Sequence, residues 1–89
     1  MITGTTSGGF DFEIEEDALD DMELLDALVE LENGSLEAVS VIGERLLGKK
    51  QRRAFYDRLR DPDTGRVAVA AATGGILEIL KAVKEGKKS

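Results

Sequence analysis

Cysteine and histidine are both missing from this chain of 89 residues. Their absence removes disulfides, thiolate nucleophiles, Ser-His and Cys-His catalysis and nearly every zinc or haem site. Proline occurs once and aromatics make up 4% of the sequence, with two of the four at Phe10 and Phe12. No apolar run approaches the ~18 residues that a membrane span requires. The first residues, Met1-Ile2-Thr3-Gly4-Thr5-Thr6-Ser7, hold neither a basic n-region nor an apolar h-region, from which an intracellular, cytoplasmic protein is expected. What is present is ordinary for a globular chain: 9.6 kDa, 42% hydrophobic and 34% charged residues, enough for one small domain with one core.

The net charge of -6 conceals a division. Residues 1–44 carry 13 acids and no Lys or Arg, whereas residues 45–89 carry 12 bases against 5 acids. Two readings follow. The acidic and basic halves can pair within the chain or between subunits, each lowering the other's self-repulsion, or each half can face a separate partner of opposite charge.

Three glycines, three threonines and a serine fill much of residues 1–9, a composition that buries little and predicts a flexible arm. Phe10-Asp11-Phe12-Glu13-Ile14 then alternates apolar and acidic residues, placing Phe10, Phe12 and Ile14 on one face of an extended segment or short strand. From Asp17, a candidate cap, Ala18, Met22, Leu25 and Leu28 or Val29 recur at helical spacing until Asn33-Gly34. This stripe is expected to face the core, with Leu24 and Leu31 widening the apolar surface for a second contact. Ser35 is a candidate cap for a second helix bearing Leu36, Val39, Val41, Ile42, Leu46 and Leu47, which Gly48 can end.

A basic third helix, Lys49 to Arg60, carries Phe55 and Leu59 on one face, and Asp61-Pro62-Asp63-Thr64-Gly65 predicts a loop. Residues 67–72 have no usable period and are assigned to helix. Ile76, Ile79 or Leu80, and Val83 repeat at helical spacing, with a break expected at Thr73 to Gly75 because each glycine costs about 1 kcal/mol in a helix interior. The expectation is an all-α single domain of about four helices over residues 10–86, preceded by an extended arm at 1–9 and followed by a basic tail at 87–89.

Chemistry is sparse. Asp17 with Asp21, or Asp20 with Glu23, could be assembled into an acid/base or Mg²⁺ site, but such carboxylates need burial and a partner, and these alternate with apolar positions as a solvated helix face does. Neither Gly8-Gly9 nor Gly74-Gly75 belongs to a phosphate loop. No catalytic, cofactor or metal residues are therefore expected. Lys49, Lys50, Arg52 and Arg53, with Phe55 and Tyr56 nearby, form a basic patch that could contact a nucleic acid backbone and stack on bases. That gives an alternative reading, a small helical DNA-binding regulator, against which the overall negative charge argues.

In their order along the chain, Gly9-Phe10-Asp11-Phe12-Glu13-Ile14, the acidic Asp20-Asp21-Met22-Glu23-Leu24-Leu25, Leu46-Leu47-Gly48 before Phe55-Tyr56-Asp57, and Gly65-Arg66-Val67 before Ile76 and Ile79 resemble the small tail assembly chaperones of tailed phages and prophages of Gram-positive bacteria. Gly74 and Gly75 depart from that pattern. The resemblance implies a mostly helical, non-enzymatic protein of the bacterial host cytoplasm. It would engage the tape measure protein and the tail tube protein during assembly and be absent from the mature virion. The anchors expected for such partners are Phe10, Phe12 and Ile14, with Leu24 and Leu31 second, and homo-oligomers are possible.

The resemblance further implies a longer product made by a −1 ribosomal slip, for which Glu85-Gly86-Lys87-Lys88 can be encoded by a slippery heptamer such as GGGAAAG. Sequencing the DNA across these codons should show such a heptamer and an overlapping downstream frame. A non-slippery sequence without that frame removes the longer product.

Overall fold

Two short runs of alternating residues at the start of the chain pair with each other. In the computed structural model, which describes residues 1–86, β1 (Ile2–Thr5) and β2 (Asp11–Ile14) form an antiparallel hairpin. Ile2 lies opposite Ile14, and Gly4 opposite Phe12. The turn is closed by the Thr6 N–H donating to the Phe10 carbonyl at 2.9 Å, while the buried Thr6 hydroxyl accepts from the Phe10 N–H at 3.1 Å. Within the segment 1–9 expected as an arm, residues 2–5 form a paired strand. Its glycine content reflects packing as well as freedom: a Cβ at Gly4 would stand 2.7 Å from the Phe12 ring.

α1 (Met22–Glu32) starts four residues later than the cap at Asp17 implied. Asp21 is the cap, its carboxylate accepting from the backbone N–H groups of Glu23 at 3.0 Å and Leu24 at 3.3 Å. α2 (Ala38–Leu59) contains both the second and the third expected helices, joined through a kink at Gly48, whose φ of 77° and ψ of 169° are non-helical and costly for a side-chain-bearing residue. The loop after α2 is held by the Asp61 carboxylate, which accepts from the N–H groups of Asp63 and Thr64, and by a single antiparallel bridge between Arg60 and Val67. α3 (Val69–Gly86) then runs without the break expected at Thr73 to Gly75.

The all-α expectation of about four helices is therefore corrected to three helices and a two-stranded antiparallel sheet, a small α/β domain. The basic tail expected at 87–89 lies outside the described residues.

Helix α1 packs on α2, α2 on α3, and the hairpin closes the open side by laying β2 on α2 and β1 on α3. Phe10, Phe12 and Ile14 point inward from the sheet to meet Ile42, Leu46, Leu47 and Phe55 of α2 and Ile76, Ile79, Leu80 and Val83 of α3. Phe55 is fully buried and meets the edge of Phe10, ring centroids 5.3 Å apart and planes at 63°. The helix continues through Gly75 because Phe55 occupies the place of a side chain there: a Cβ on Gly75 would be 2.5 Å from the ring. Close approach of α2 and α3 outweighs the loss of helix propensity.

That reading separates the two adjacent glycines. Gly75→Ala should destabilise the fold by about 1–3 kcal/mol through overpacking against a ring with no room to retreat. Gly74→Ala, where an added Cβ meets nothing within 4 Å, should stabilise α3 by up to about 1 kcal/mol. Urea unfolding of the two variants beside the parent chain checks both signs.

Candidate protein-docking surface

Helix α1 is apolar on two sides, and its neighbours decide which side is covered. Leu24 and Ala27 are buried against the core, and Leu28 and Leu31 are partly buried beside them. Of the stripe expected to face inward, Ala18 and Leu28 pack against the core, but Met22 is 66% exposed, Leu25 50% and Val29 47%. Both stripes have helical spacing, so periodicity alone does not choose between them. Contacts from α2 do. Arg45 reaches Asp21 at 3.6 Å and also pairs with Glu23, tying the start of α1 to α2 with Leu24 and the small Ala27 turned inward.

Around the exposed stripe α1 is acidic. Glu23, Asp26, Glu30 and Glu32 lie on this helix, which has no Lys or Arg. Of the four, Glu23 has an ion-pair partner, Arg45; Asp26, Glu30 and Glu32 have none among the described residues.

Two open grooves meet elsewhere on the molecule at Tyr56. One, of about 380 Å³, is mainly apolar and lies between the starts of α2 and α3, with Leu36, Val39, Tyr56, Val67, Val69 and Ala72 among its walls and Glu37 as its one charged residue. Leu36 and Val69 are 55% and 61% exposed at it. The other, of about 720 Å³, is basic, lined by Lys49, Lys50, Arg52, Arg53 and Arg60, with Asp57 as its acid. Arg52 is fixed there by Glu44 at 3.3 Å and by the Ser40 hydroxyl at 3.3 Å, and its guanidinium stands 5.7 Å from the centre of the Tyr56 ring. Arg60 pairs with Asp57 at 3.1 Å, whereas Lys49, Lys50 and Arg53 have no ion-pair partner among the described residues.

The expected anchors divide accordingly. Phe10, Phe12, Ile14 and Leu24 are side chains of the chain's own core, and a partner could reach them only by opening it. Leu31 is partly buried. The basic residues Lys49, Lys50, Arg52 and Arg53 do gather, in one groove. Sequence reasoning read α1 as apolar on two sides but gave the second contact to Leu24 and Leu31 where Met22, Leu25 and Val29 are the exposed ones, and it missed the groove around Leu36 and Val69. The signal for the second side was an apolar arc on α1 too wide for one buried face.

Among the described residues no group of three or more acids could hold a metal ion, and no helix is long and apolar enough to cross a membrane. The Met1 amine donates to Glu16 at 2.8 Å, and that hydrogen bond raises its pKa above the ordinary value. The pair lies at the surface, remote in character from either groove. Compared with models of known families, with curated proteins and with solved structures, the chain matches none, so the resemblance to tail assembly chaperones rests on the order of residues alone.

Core and surface apolar residues should separate in a stability measurement. Phe12→Ala should cost about 3–5 kcal/mol, a large share of the ~4–13 kcal/mol available to a domain of this length. Leu25→Ala should stay within about 0.5 kcal/mol of the parent. Chemical denaturation monitored by circular dichroism distinguishes them.

Proposed function

We propose that this chain is a non-enzymatic tail assembly chaperone of a tailed phage or prophage, holding the tape measure protein, and with it the tail tube protein, during tail morphogenesis. The observation that carries the reading is the outward face of α1, where Met22, Leu25 and Val29 stand exposed among acids on a helix whose other side is locked into the core. A tape measure chain is long and helical and presents apolar stripes before it is packed. A small acidic domain with an apolar helix face can cover such a stripe and keep the complex dispersed through its charge. Burial of each large aliphatic side chain is worth about 1.5–3 kcal/mol when complete, so three half-exposed ones supply a weak, reversible contact once the cost of association is subtracted. Reversibility suits a factor that leaves before the particle is finished.

Co-expression with a tape measure fragment tests this. The fragment should remain in the supernatant with the parent chain and sediment with the double variant Leu25→Gln, Val29→Gln. Equal recovery of the fragment with and without this protein refutes the chaperone reading.

The basic groove favours a second reading, a DNA-binding regulator, through Lys49, Lys50 and Arg53, which are unpaired among the described residues, beside the Tyr56 ring. On that reading duplex DNA is retarded in a salt-dependent way that disappears in Arg52→Ala, Arg53→Ala. The acidic remainder of the molecule opposes it, and the chaperone reading is preferred.

A further inference from the structure

Two surfaces of this molecule are complementary to each other and are built from different residues. The α1 face presents Met22, Leu25 and Val29 flanked by Asp26 and Glu30. The surface around Tyr56 presents an apolar groove, rimmed by Leu36 and Val69, that runs into a basic one containing Lys49, Lys50 and Arg53. A greasy stripe with acidic edges faces a greasy groove that carries one acid, Glu37, and opens at Tyr56 into a basic one where bases outnumber the single acid Asp57. No residue of the α1 stripe lines either groove, so the match is not made within one chain.

We propose that the α1 face of one copy docks into the Tyr56 groove of a second copy, Leu25 and Val29 entering the apolar groove and Asp26 and Glu30 meeting Lys49, Lys50 and Arg53. A second copy is the occupant that the charges select. The unpaired acids of α1 and the unpaired bases of the groove neutralise one another when two copies meet, and neither set has an ion-pair partner among the described residues of its own chain. A polyanion could answer the bases, but it would leave Leu36 and Val69 uncovered. An apolar ligand could fill the 380 Å³ groove but would leave the bases unanswered.

The contact is heterologous: each copy offers one face and one groove, so a dimer keeps a free face at one end and a free groove at the other, and assembly continues until it closes on itself or runs out of subunits. Its charged flanks make it weaken as salt rises. This inference does not depend on the chaperone reading, and a client helix would compete with a second copy for the same α1 face.

Sedimentation velocity on the full chain tests it with two neutral, helix-compatible double variants. Leu25→Gln, Val29→Gln removes the face, and Leu36→Gln, Val69→Gln removes the groove; thermal unfolding confirms that each is folded. The parent should grow beyond 9.6 kDa as concentration rises, with growth reversed by added salt. Either variant alone should associate at least tenfold more weakly. Mixed in equal amounts they should form a dimer and nothing larger, because the intact groove of one accepts the intact face of the other and both remaining surfaces are dead. A parent that stays monomeric at millimolar concentration overturns the proposal. So does a variant that associates like the parent, a mixture that stays monomeric, or a parent whose groove binds a duplex oligonucleotide without any self-association.

Discussion

The Phe55 ring against the backbone of Gly75 is the contact on which the arrangement of the other elements depends. The ring is fully buried, is met edge-on by Phe10 from the hairpin, and lies so near α3 that only a residue without a Cβ fits opposite it. It therefore joins three elements that are far apart in sequence: the hairpin, the second arm of α2 and the start of α3. The kink at Gly48 belongs to the same device. Leu46 and Leu47 before it and Phe55 after it are all buried in one core. The positive φ of Gly48 redirects the helix so that the basic second arm can run beside α3 and still turn its one phenylalanine inward.

Much of this was legible where local chemistry has a single reading. Alternation at Phe10 to Ile14 gave the inward face of β2, Pro62 and its neighbours gave the loop, and Gly48 marked the change of helix direction. The remainder depended on contacts made at long range. β1 was hidden because Thr3-Gly4-Thr5 reads as flexible until Phe12 is placed above Gly4. Gly74-Gly75 reads as a break until Phe55 arrives from α2. The two apolar stripes of α1 have the same spacing, and only packing on the distant α2, with Leu24 and Ala27 entering the core and Arg45 reaching Asp21 and Glu23, decides which one turns inward. For the site, the basic cluster at Lys49 to Arg53 was legible as a patch, whereas the exposed stripe at Met22, Leu25 and Val29 was read as interior. Local pattern names amphipathic surfaces; tertiary packing assigns their sides.

The charge division along the chain has a corresponding consequence in space. Arg45, the first base of the sequence, is spent on Asp21 and Glu23 at the start of α1, and Arg52 is held by Glu44 within α2. These are exposed pairs, each worth ~0 to 1 kcal/mol, so they orient helices more than they hold the fold together. After they are made, acids remain on α1 and bases remain near Tyr56. Intramolecular pairing thus accounts for part of the division and leaves a dipolar surface for the rest.

Hydrophobic residues left outside the core usually need no explanation when they are scattered. Here Met1, Val41 and Leu77 are of that scattered kind, whereas the other five large exposed hydrophobics among the described residues are grouped by charge. Met22, Leu25 and Val29 share a helix with acids alone, whereas Leu36 and Val69 rim a groove continuous with bases. If these residues were only surplus to a core already filled by Phe55 and its neighbours, the sign of the charge beside each group would be arbitrary. Opposite signs on the two groups give each apolar surface a defined counterpart and disfavour its own kind, since two α1 faces carry acids alone and two basic grooves carry an excess of bases over Asp57. Self-pairing of like surfaces is thereby disfavoured and head-to-tail contact favoured. The weak apolar contact supplies the attraction, the charges supply the direction, and the same acids keep a single copy dispersed when no counterpart is present.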